Sequence, residues 1–283
     1  MHIAALSLLL AAAVAHAGWN LLAKRTGGGV AVVWCYCAAG VVVWAPLALA
    51  AVIAGIGQVD RTACALMVGS GVLHAAYFLL LQRGYSTGDL SLVYPLARGT
   101  GPLLAVPLAA LALGERPGAL DLIGGAVIVA GVLSLAGWPG VALRAGAGYA
   151  LLTGALIAGY TVWDAHAVAT LDLSVLTYFW GVELSRALLL APIALRRRDE
   201  VRAAWREFHA TVLGVGLLSP FAYMLVLGAL QIAPVSVVAP AREVSIVLGA
   251  ALGAWLLGEP AGARRVTAAT IVVLGIVLLA LSR

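Results

Sequence analysis

Ten long apolar runs, separated by short clusters of charged residues, glycine and proline, divide this sequence of 283 residues. A bilayer-crossing helix needs ~20 apolar residues, and the runs lack the alternation of a barrel strand, so each backbone must satisfy its hydrogen bonds as a helix. We therefore expect an all-α integral membrane protein. Its ten transmembrane helices are predicted near residues 3–22, 30–54, 62–82, 90–113, 120–137, 148–168, 174–195, 209–229, 234–257 and 265–281.

The composition supports the same fold class. Hydrophobic residues make up 63% of the chain and charged residues 10%, which is too little polar material to cover a soluble globule. Soluble enzymes and soluble binding domains are thereby excluded. The net charge of +5 is not taken as a sign of nucleic-acid binding, because the basic residues mark the sides of the membrane.

The start of the chain admits a second interpretation. Ala15-His16-Ala17 follows the first apolar run in the way a signal-peptidase site does. No Lys or Arg precedes that run, whereas a secretory signal has a basic beginning. We therefore predict that the run is retained as the first membrane span.

The two halves of the sequence repeat one another. Leu113-Gly114-Glu115 recurs as Leu257-Gly258-Glu259, 144 residues later, and Trp19-Asn20 corresponds to Trp163-Asp164 at the same offset. Each half, 1–145 and 146–283, has five spans, and an odd number forces the halves to cross the membrane in opposite senses. Such inverted five-helix repeats are typical of secondary transporters with a site at the repeat interface.

Lys and Arg are distributed unequally between the two sides of the predicted membrane. Eleven follow odd-numbered spans and three lie on the other side. Because short cytoplasmic connections are enriched in Lys and Arg, this bias places the odd connections in the cytoplasm and both termini outside it.

Several short motifs, each present in both halves, resemble those of a known family. With Trp19-Asn20, Tyr94-Pro95-Leu96-Ala97-Arg98, Pro240-Ala241-Arg242-Glu243 and the paired Leu-Gly-Glu elements, the chain resembles the ten-span EamA-type members of the drug/metabolite transporter superfamily. The resemblance extends over essentially the whole chain.

That resemblance implies a multi-pass secondary transporter of the cell (inner) membrane. It would export a small metabolite, such as an amino acid or a related compound, by alternating access through a cavity bounded by spans 3, 4, 8 and 9. A lipid or glycolipid flippase on the same scaffold is the alternative. Relatives usually have both termini in the cytoplasm, opposite to the charge-based prediction, so both orientations stay open.

Two arginines within the membrane are the strongest site candidates. Arg98 and Arg242 lie inside apolar helices, just after Pro95 and Pro240, which are expected to kink those helices. An arginine near a helix centre costs ~2.5–3.5 kcal/mol on insertion scales, so exposure to lipid is disfavoured. We predict that both line the central cavity and bind an anionic group of the substrate. The alternative is that Arg242 pairs structurally with an acid such as Glu183 or Glu243.

Aromatic and polar side chains on the remaining helix faces complete the predicted site. Rings can hold a solute and hydroxyl or amide groups can orient it. Core packing is the alternative for the tyrosines, and interfacial anchoring with interhelical hydrogen bonds is the alternative for the other residues. The candidates are Tyr77, Tyr94, Tyr223, Trp19, Asn20, Trp163 and Asp164.

Proton coupling has three candidate residues, Glu183, His16 and His74. Glu183 and Arg186, at i and i+3, can form a neutral pair on one helix surface, and Glu183 is also a candidate partner of Arg242. A carboxylate released from such a pair can carry a proton, and an imidazole titrates near neutral pH. Packing and interhelical hydrogen bonding are the alternatives for all three.

The remaining motifs are assigned structural roles. Glu115 and Glu259 each lie just before a proline and are predicted to stabilise the start of the next helix. Gly249 and Gly253 allow close helix packing, within a monomer or between the copies of a homodimer. No ATP-binding or hydrolase motif is present, so we expect neither an enzyme nor a cofactor or metal.

Overall fold

The computed structural model describes residues 3–23, 26, 29–56, 59–88, 90–134, 145–246, 248 and 263–281. These residues are mostly helical, and no strand lies among them. Five helices, α1, α2, α3, α7 and α8, are long and apolar enough to cross a membrane by length and composition. The described helices are α1 (Ile3–Ala23), α2 (Val30–Ile53), α3 (Arg61–Thr87), α4 (Leu90–Ala112), α5 (Ala119–Ser134), α6 (Ala147–Ala165), α7 (Val175–Arg196), α8 (Arg198–Ile232), α9 (Val235–Ala241) and α10 (Ala263–Leu281).

Helix packing follows the sequence repeat. The helices α1 to α5 correspond to α6 to α10. A contact between two helices should therefore recur between their two counterparts in the other half. The pairs α1 with α8 and α3 with α6 are related in this way, as are α2 with α8 and α3 with α7. The helices α2 and α7 pack on each other, and so do α5 and α10. The interface between the repeats therefore runs through the interior of the bundle.

The helix that precedes Arg242 ends abruptly in the membrane. α9 ends at Ala241, and the next backbone bonds span three residues: Glu243 N donates to Pro240 O at 3.0 Å and Ser245 N to Arg242 O at 3.3 Å. By contrast, α4, the equivalent helix of the first half, continues past its three internal prolines. Interrupted helices of this kind occur at transporter binding sites, where freed backbone groups line a cavity.

The connection predicted between spans 7 and 8 is instead helical. α8 begins at Arg198, and non-helical backbone angles at Phe208 separate this charged first segment from the span. Val201, Ala204 and Phe208 share one helix face and pack near Cys35 of α2. The charge-rich sequence indicated a loop because the apolar partner of this face lies on a distant helix.

Glu115 stabilises a different helix from the one predicted. Its carboxylate accepts hydrogen bonds from Val235 N at 2.6 Å and Ser236 N at 3.0 Å, at the start of α9 in the other half. The helix that follows Glu115 is served by Asp121, which accepts from Gly118 N at 2.9 Å. Glu115 therefore joins the two repeats. The residues Gly249, Gly253 and Glu259 lie outside the described part of the chain.

Candidate functional site

Two arginines from opposite halves converge on one carboxylate. Arg98 Nε donates to Glu243 Oε2 at 2.8 Å, and Arg242 Nε lies 3.4 Å from Glu243 Oε1. Arg98 also reaches Ser245 Oγ at 3.4 Å. The side chain of Arg98 is 15% exposed, whereas those of Arg242 and Glu243 are buried. One acid shared by two guanidinium groups leaves this cluster with a net charge of one positive unit.

Arg242 retains a hydrogen-bond donor that no described residue satisfies. Its Nη2 atom is buried without a partner. An unsatisfied buried donor costs ~1–3 kcal/mol, and more when it is charged, so the arrangement favours an added acceptor. The cluster therefore has both the charge and the free donor that one anionic group requires.

A histidine and a tyrosine at equivalent positions of the repeat lie near the arginines. Tyr160 follows His16 by 144 residues. The Cζ atom of Arg242 lies 5.8 Å from the centre of the Tyr160 ring, and His16 is within electrostatic range of Arg98 and Arg242. Trp19 Nε1 donates to His16 Nδ1 at 2.8 Å, which places the proton of the neutral imidazole on Nε2.

A second polar cluster surrounds Asp164, which is fully buried. Tyr178 Oη donates to Asp164 Oδ1 at 2.7 Å and Tyr223 Oη to Oδ2 at 2.8 Å. His74 Nε2 lies 3.2 Å from the same Oδ2 atom. The His74 ring stacks on Tyr160 with ring centres 4.0 Å apart. Tyr160 therefore contacts both the arginine cluster and the Asp164 cluster.

A third buried group lies within α7. Arg186 Nη1 donates to Glu183, so the two side chains form the i, i+3 ion pair that their spacing allows. Glu183 also borders a narrow pocket between α2, α7 and α8 that has no room for a water molecule. The lining residues are Gly40, Trp44, Leu176, Phe179, Trp180, Glu183, Pro220 and Met224.

A larger pocket of about 320 Å³ lies at the ends of α4 and α8 and at the start of α9. Glu115, Gln231 and Ala165, the neighbour of Asp164 in sequence, are among its lining residues. A π-helical turn, His166–Thr170, follows α6 here, and Gln231 Nε2 donates to Val168 O at 3.2 Å within it. Neither of these two pockets is lined by Arg98 or Arg242.

The structure brings most of the candidate residues into one interior region. Tyr77 meets Tyr160 edge to face, with ring centres 5.8 Å apart. Tyr94 lies within electrostatic range of Arg98 and Glu243. Together with the two arginines, Asp164, His74 and Tyr223, these residues form one connected set across both halves.

Two of the candidates lie apart from that region. Trp163 is 39% exposed and donates to Leu66 O at 3.0 Å, on the α3 side of α6. Asn20 is exposed and donates to the backbone oxygen of His16 at 2.7 Å. Both therefore resemble the alternative described for them, side chains that anchor or join helices.

Two tyrosines of this region are not among the candidate site residues, although the sequence places Tyr160 on one helix face with Trp163 and Asp164. Tyr178 binds Asp164, and Tyr160 lies between the clusters. The repeat offset from His16 to Tyr160 was an available signal for the second. Nothing in the sequence around Tyr178 indicated its partner. Among the described residues, no group of three His, Cys, Asp or Glu side chains is placed to hold a metal ion.

Comparisons with known proteins agree with this architecture. The model of the EamA-like transporter family matches residues 144–281. A solved structure titled only "Crystal structure of protein" is similar with a TM-score of 0.75 and 16% identity, over 97% of this chain and 96% of that chain. In total, 29 chains of known structure match. No curated protein matches the sequence.

These matches define a multi-pass, all-α integral membrane protein with a transporter fold. The second repeat belongs to the EamA-like transporter family, so the resemblance to the EamA-type members of the drug/metabolite transporter superfamily is confirmed. The family indicates a transporter of small molecules in a lipid bilayer.

Proposed function

We propose that this chain is a secondary transporter that exports a small metabolite with an anionic group, an amino acid or a related compound, across the cell (inner) membrane. The observation that carries the proposal is the buried cluster of Arg98, Glu243 and Arg242. Among the described residues, these three side chains carry one excess positive charge and Arg242 Nη2 has no hydrogen-bond partner, so a single anionic group would complete the cluster. The export direction, the membrane and the substrate class are part of this proposal.

Charge balance gives the cluster a role in transport. Moving a charge through the membrane interior is costly, and a substrate anion bound between the arginines makes the cluster neutral. Both halves supply an arginine, so the anion also stabilises contact between the repeats. Rocking of one repeat against the other would then expose the bound substrate to each side in turn.

We infer that both termini lie outside the cytoplasm. The 11 to 3 excess of Lys and Arg in the odd connections supports this orientation. Reporter fusions after Arg283 are expected to be active only when the reporter works outside the cytoplasm. Fusions active only in the cytoplasm would establish the orientation that is usual in the family.

The test of transport uses the purified full chain in proteoliposomes. A panel of radiolabelled amino acids and monocarboxylates is offered to the wild type and to the variants Arg98→Gln and Arg242→Gln. The matched control is Arg206→Gln, which removes an exposed arginine from the first segment of α8. We expect flux with the wild type and the control, and loss of flux with both interior variants at equal incorporation and unchanged elution on size exclusion.

Two outcomes would contradict the proposal. Unchanged flux in folded Arg98→Gln and Arg242→Gln would show that the arginines have only a structural role. Translocation of fluorescent phospholipids without flux of any solute on the panel would favour the flippase alternative.

A further inference from the structure

Three carboxylates are buried in the interior of the described chain, and their partners differ. Glu243 is bound by Arg98 and Arg242, and Glu183 is bound by Arg186. A guanidinium group stays charged at any physiological pH, so both glutamates keep their negative charge. These two acids are poorly suited to exchange a proton.

Asp164 is the exception among these acids. Its described partners are the Tyr178 and Tyr223 hydroxyls and the imidazole of His74, and no arginine binds it. The hydroxyls donate hydrogen bonds but carry no positive charge near neutral pH. His74 is therefore the only bonded partner that can both neutralise Asp164 and lose its charge in the physiological range.

The groups around His74 and Asp164 leave the charge of this pair dependent on a single proton. The rings of Tyr160, Phe179 and Tyr223 contact His74 and exclude bulk water. The Glu183–Arg186 pair on α7 is within electrostatic range of His74, but its charges cancel. The titratable and charged groups that face the pair, directly or behind these side chains, are Cys37 on α2, Tyr77 on α3, Arg98 on α4, Tyr160 on α6, Tyr178, Glu183 and Arg186 on α7, Tyr223 on α8 and Arg242 directly after α9.

We infer that Asp164 and His74 together form a single proton-binding site. Without the proton, the carboxylate and the neutral imidazole have a net charge of one negative unit. One proton taken from water makes the pair neutral, whether it resides on the imidazole or on the carboxylate. No other bond is made or broken.

The position of the pair allows it to act on the arginine cluster. His74 lies midway along α3, ~20 Å from either end at 1.5 Å per residue. Tyr160 stacks on His74 and lies beneath Arg242, and Tyr223 binds Asp164 and contacts the Tyr160 ring edge to face. Ala165, next to Asp164 in the sequence, lines the pocket at the start of α9.

The coupling role of this site rests on the transporter function proposed above. A negative pair attracts the positive arginine cluster, and protonation removes that attraction. Protonation therefore leaves the arginine cluster uncompensated and strengthens its binding of a substrate anion. The proton and the substrate anion would then bind and cross the membrane together, so that a pH gradient changes the net flux of the substrate.

Proton binding is tested first, without any substrate. Proton uptake by the purified full chain in detergent is measured by titration between about pH 9 and pH 5, a range in which an exposed aspartate stays ionised. We expect Asp164→Asn and His74→Gln each to take up one proton fewer than the wild type. The double variant should take up no fewer than either single variant, because the two groups bind one proton jointly.

The controls for proton uptake are chosen among the other acids. Asp172→Asn, at an exposed residue with φ of 52° that asparagine tolerates, should leave the count unchanged. Wild-type uptake in folded Asp164→Asn would overturn the inference. The inference would also be overturned if Glu183→Gln or His16→Gln took up one proton fewer than the wild type while Asp164→Asn took up as many as the wild type.

Transport then separates this inference from the proposed function. With a solute that the wild type moves, one unit of pH difference should support roughly tenfold accumulation, and Asp164→Asn should lose it. Arg98→Gln should lose both gradient-driven accumulation and exchange of labelled for unlabelled solute at equal pH. No flux of any solute by the wild type would defeat the transporter function and leave the proton count standing. Gradient-driven accumulation in folded Asp164→Asn would defeat the coupling role alone.

Discussion

The two halves of this protein are related by the 144-residue sequence repeat but differ in where their acidic residues lie. Asn20, Ala39 and Gly99 of the first half are followed, 144 residues later, by Asp164, Glu183 and Glu243. These three acids of the second half are buried. In the interior of the described chain, the first half supplies Arg98 and two histidines, and the second half supplies every carboxylate.

This difference makes the halves electrically dependent on one another. Arg98 has no acid within its own repeat among its described hydrogen-bond partners and is neutralised by Glu243 across the repeat interface. A single Asp164, with no counterpart in α1, also allows one proton site in place of two. The inverted repeat therefore supplies symmetric helices, whereas the chemistry arises from departures from that symmetry.

The largest effect is expected where an acid holds both halves. Glu243→Gln leaves two buried guanidinium groups without a counterion, and breaking a buried pair in this way costs about 3–5 kcal/mol. Thermal unfolding in detergent micelles measures the loss. Glu207→Gln, on the exposed first segment of α8, is the control and should change stability by less than about 0.5 kcal/mol. Equal stability of the two variants would show that Glu243 does not tie the repeats together.

A smaller loss is expected at the other unmatched acid. Asp164→Asn keeps an oxygen for the tyrosine hydroxyls but removes the charge, and a weakened buried hydrogen-bond network costs about 1–3 kcal/mol. Thermal unfolding of this variant is compared with that of Asp172→Asn, whose side chain is exposed. A loss no greater than that of the exposed control would argue against a structural contribution from the Asp164 network.

The hydrogen bonds of Glu115, which join the two halves near the surface, should contribute less to stability than Asp164 does. Glu115→Gln weakens the bonds to Val235 N and Ser236 N, which we expect to lower stability by about 1 kcal/mol. Hydrogen exchange followed by mass spectrometry should show faster exchange in Val235–Ala241. Asp121→Asn, which weakens a bond within one half, should leave that exchange unchanged. Unaltered exchange in the Glu115 variant would rule out this link between the repeats.

The smallest effect is expected when the first half receives the acid it lacks. Asn20 is exposed, and its described hydrogen bond goes to the backbone of its own helix, so Asn20→Asp should change stability by less than about 0.5 kcal/mol. Solute flux in proteoliposomes should also be unchanged. A large loss in either measurement would place residue 20 in the interior site after all.

Much of the fold was predictable because it depends on local sequence. Hydrophobic length predicts the spans to within a few residues, as for α4, expected at 90–113 and found at Leu90–Ala112. The charged segment that begins α8 was not predicted as a helix, because its stability depends on α2. The partner of Glu115 was missed for the same reason, since a carboxylate near a proline does not reveal which helix start it faces.

Part of the site was likewise predictable from the sequence, and part was not. Arg98 and Arg242 stand out in the sequence because charge is rare in apolar helices, and Pro240 indicates where α9 is interrupted. The exposed positions of Asn20 and Trp163 did not follow from helical spacing. Spacing places a residue on a face of its helix, but the neighbouring helices decide whether that face is buried.

Hydropathy, an odd number of spans per half and the 144-residue offset are enough to establish a helical membrane protein with inverted repeats. These properties depend on distances along the chain and on the cost of unpaired backbone in lipid. The sharing of Glu243 by two arginines, and the isolation of Asp164 from every described arginine, depend on which helices meet in three dimensions. Coulombic and hydrogen-bond energies act over a few ångströms, so helix packing, and not sequence separation, assigns each buried charge its partner.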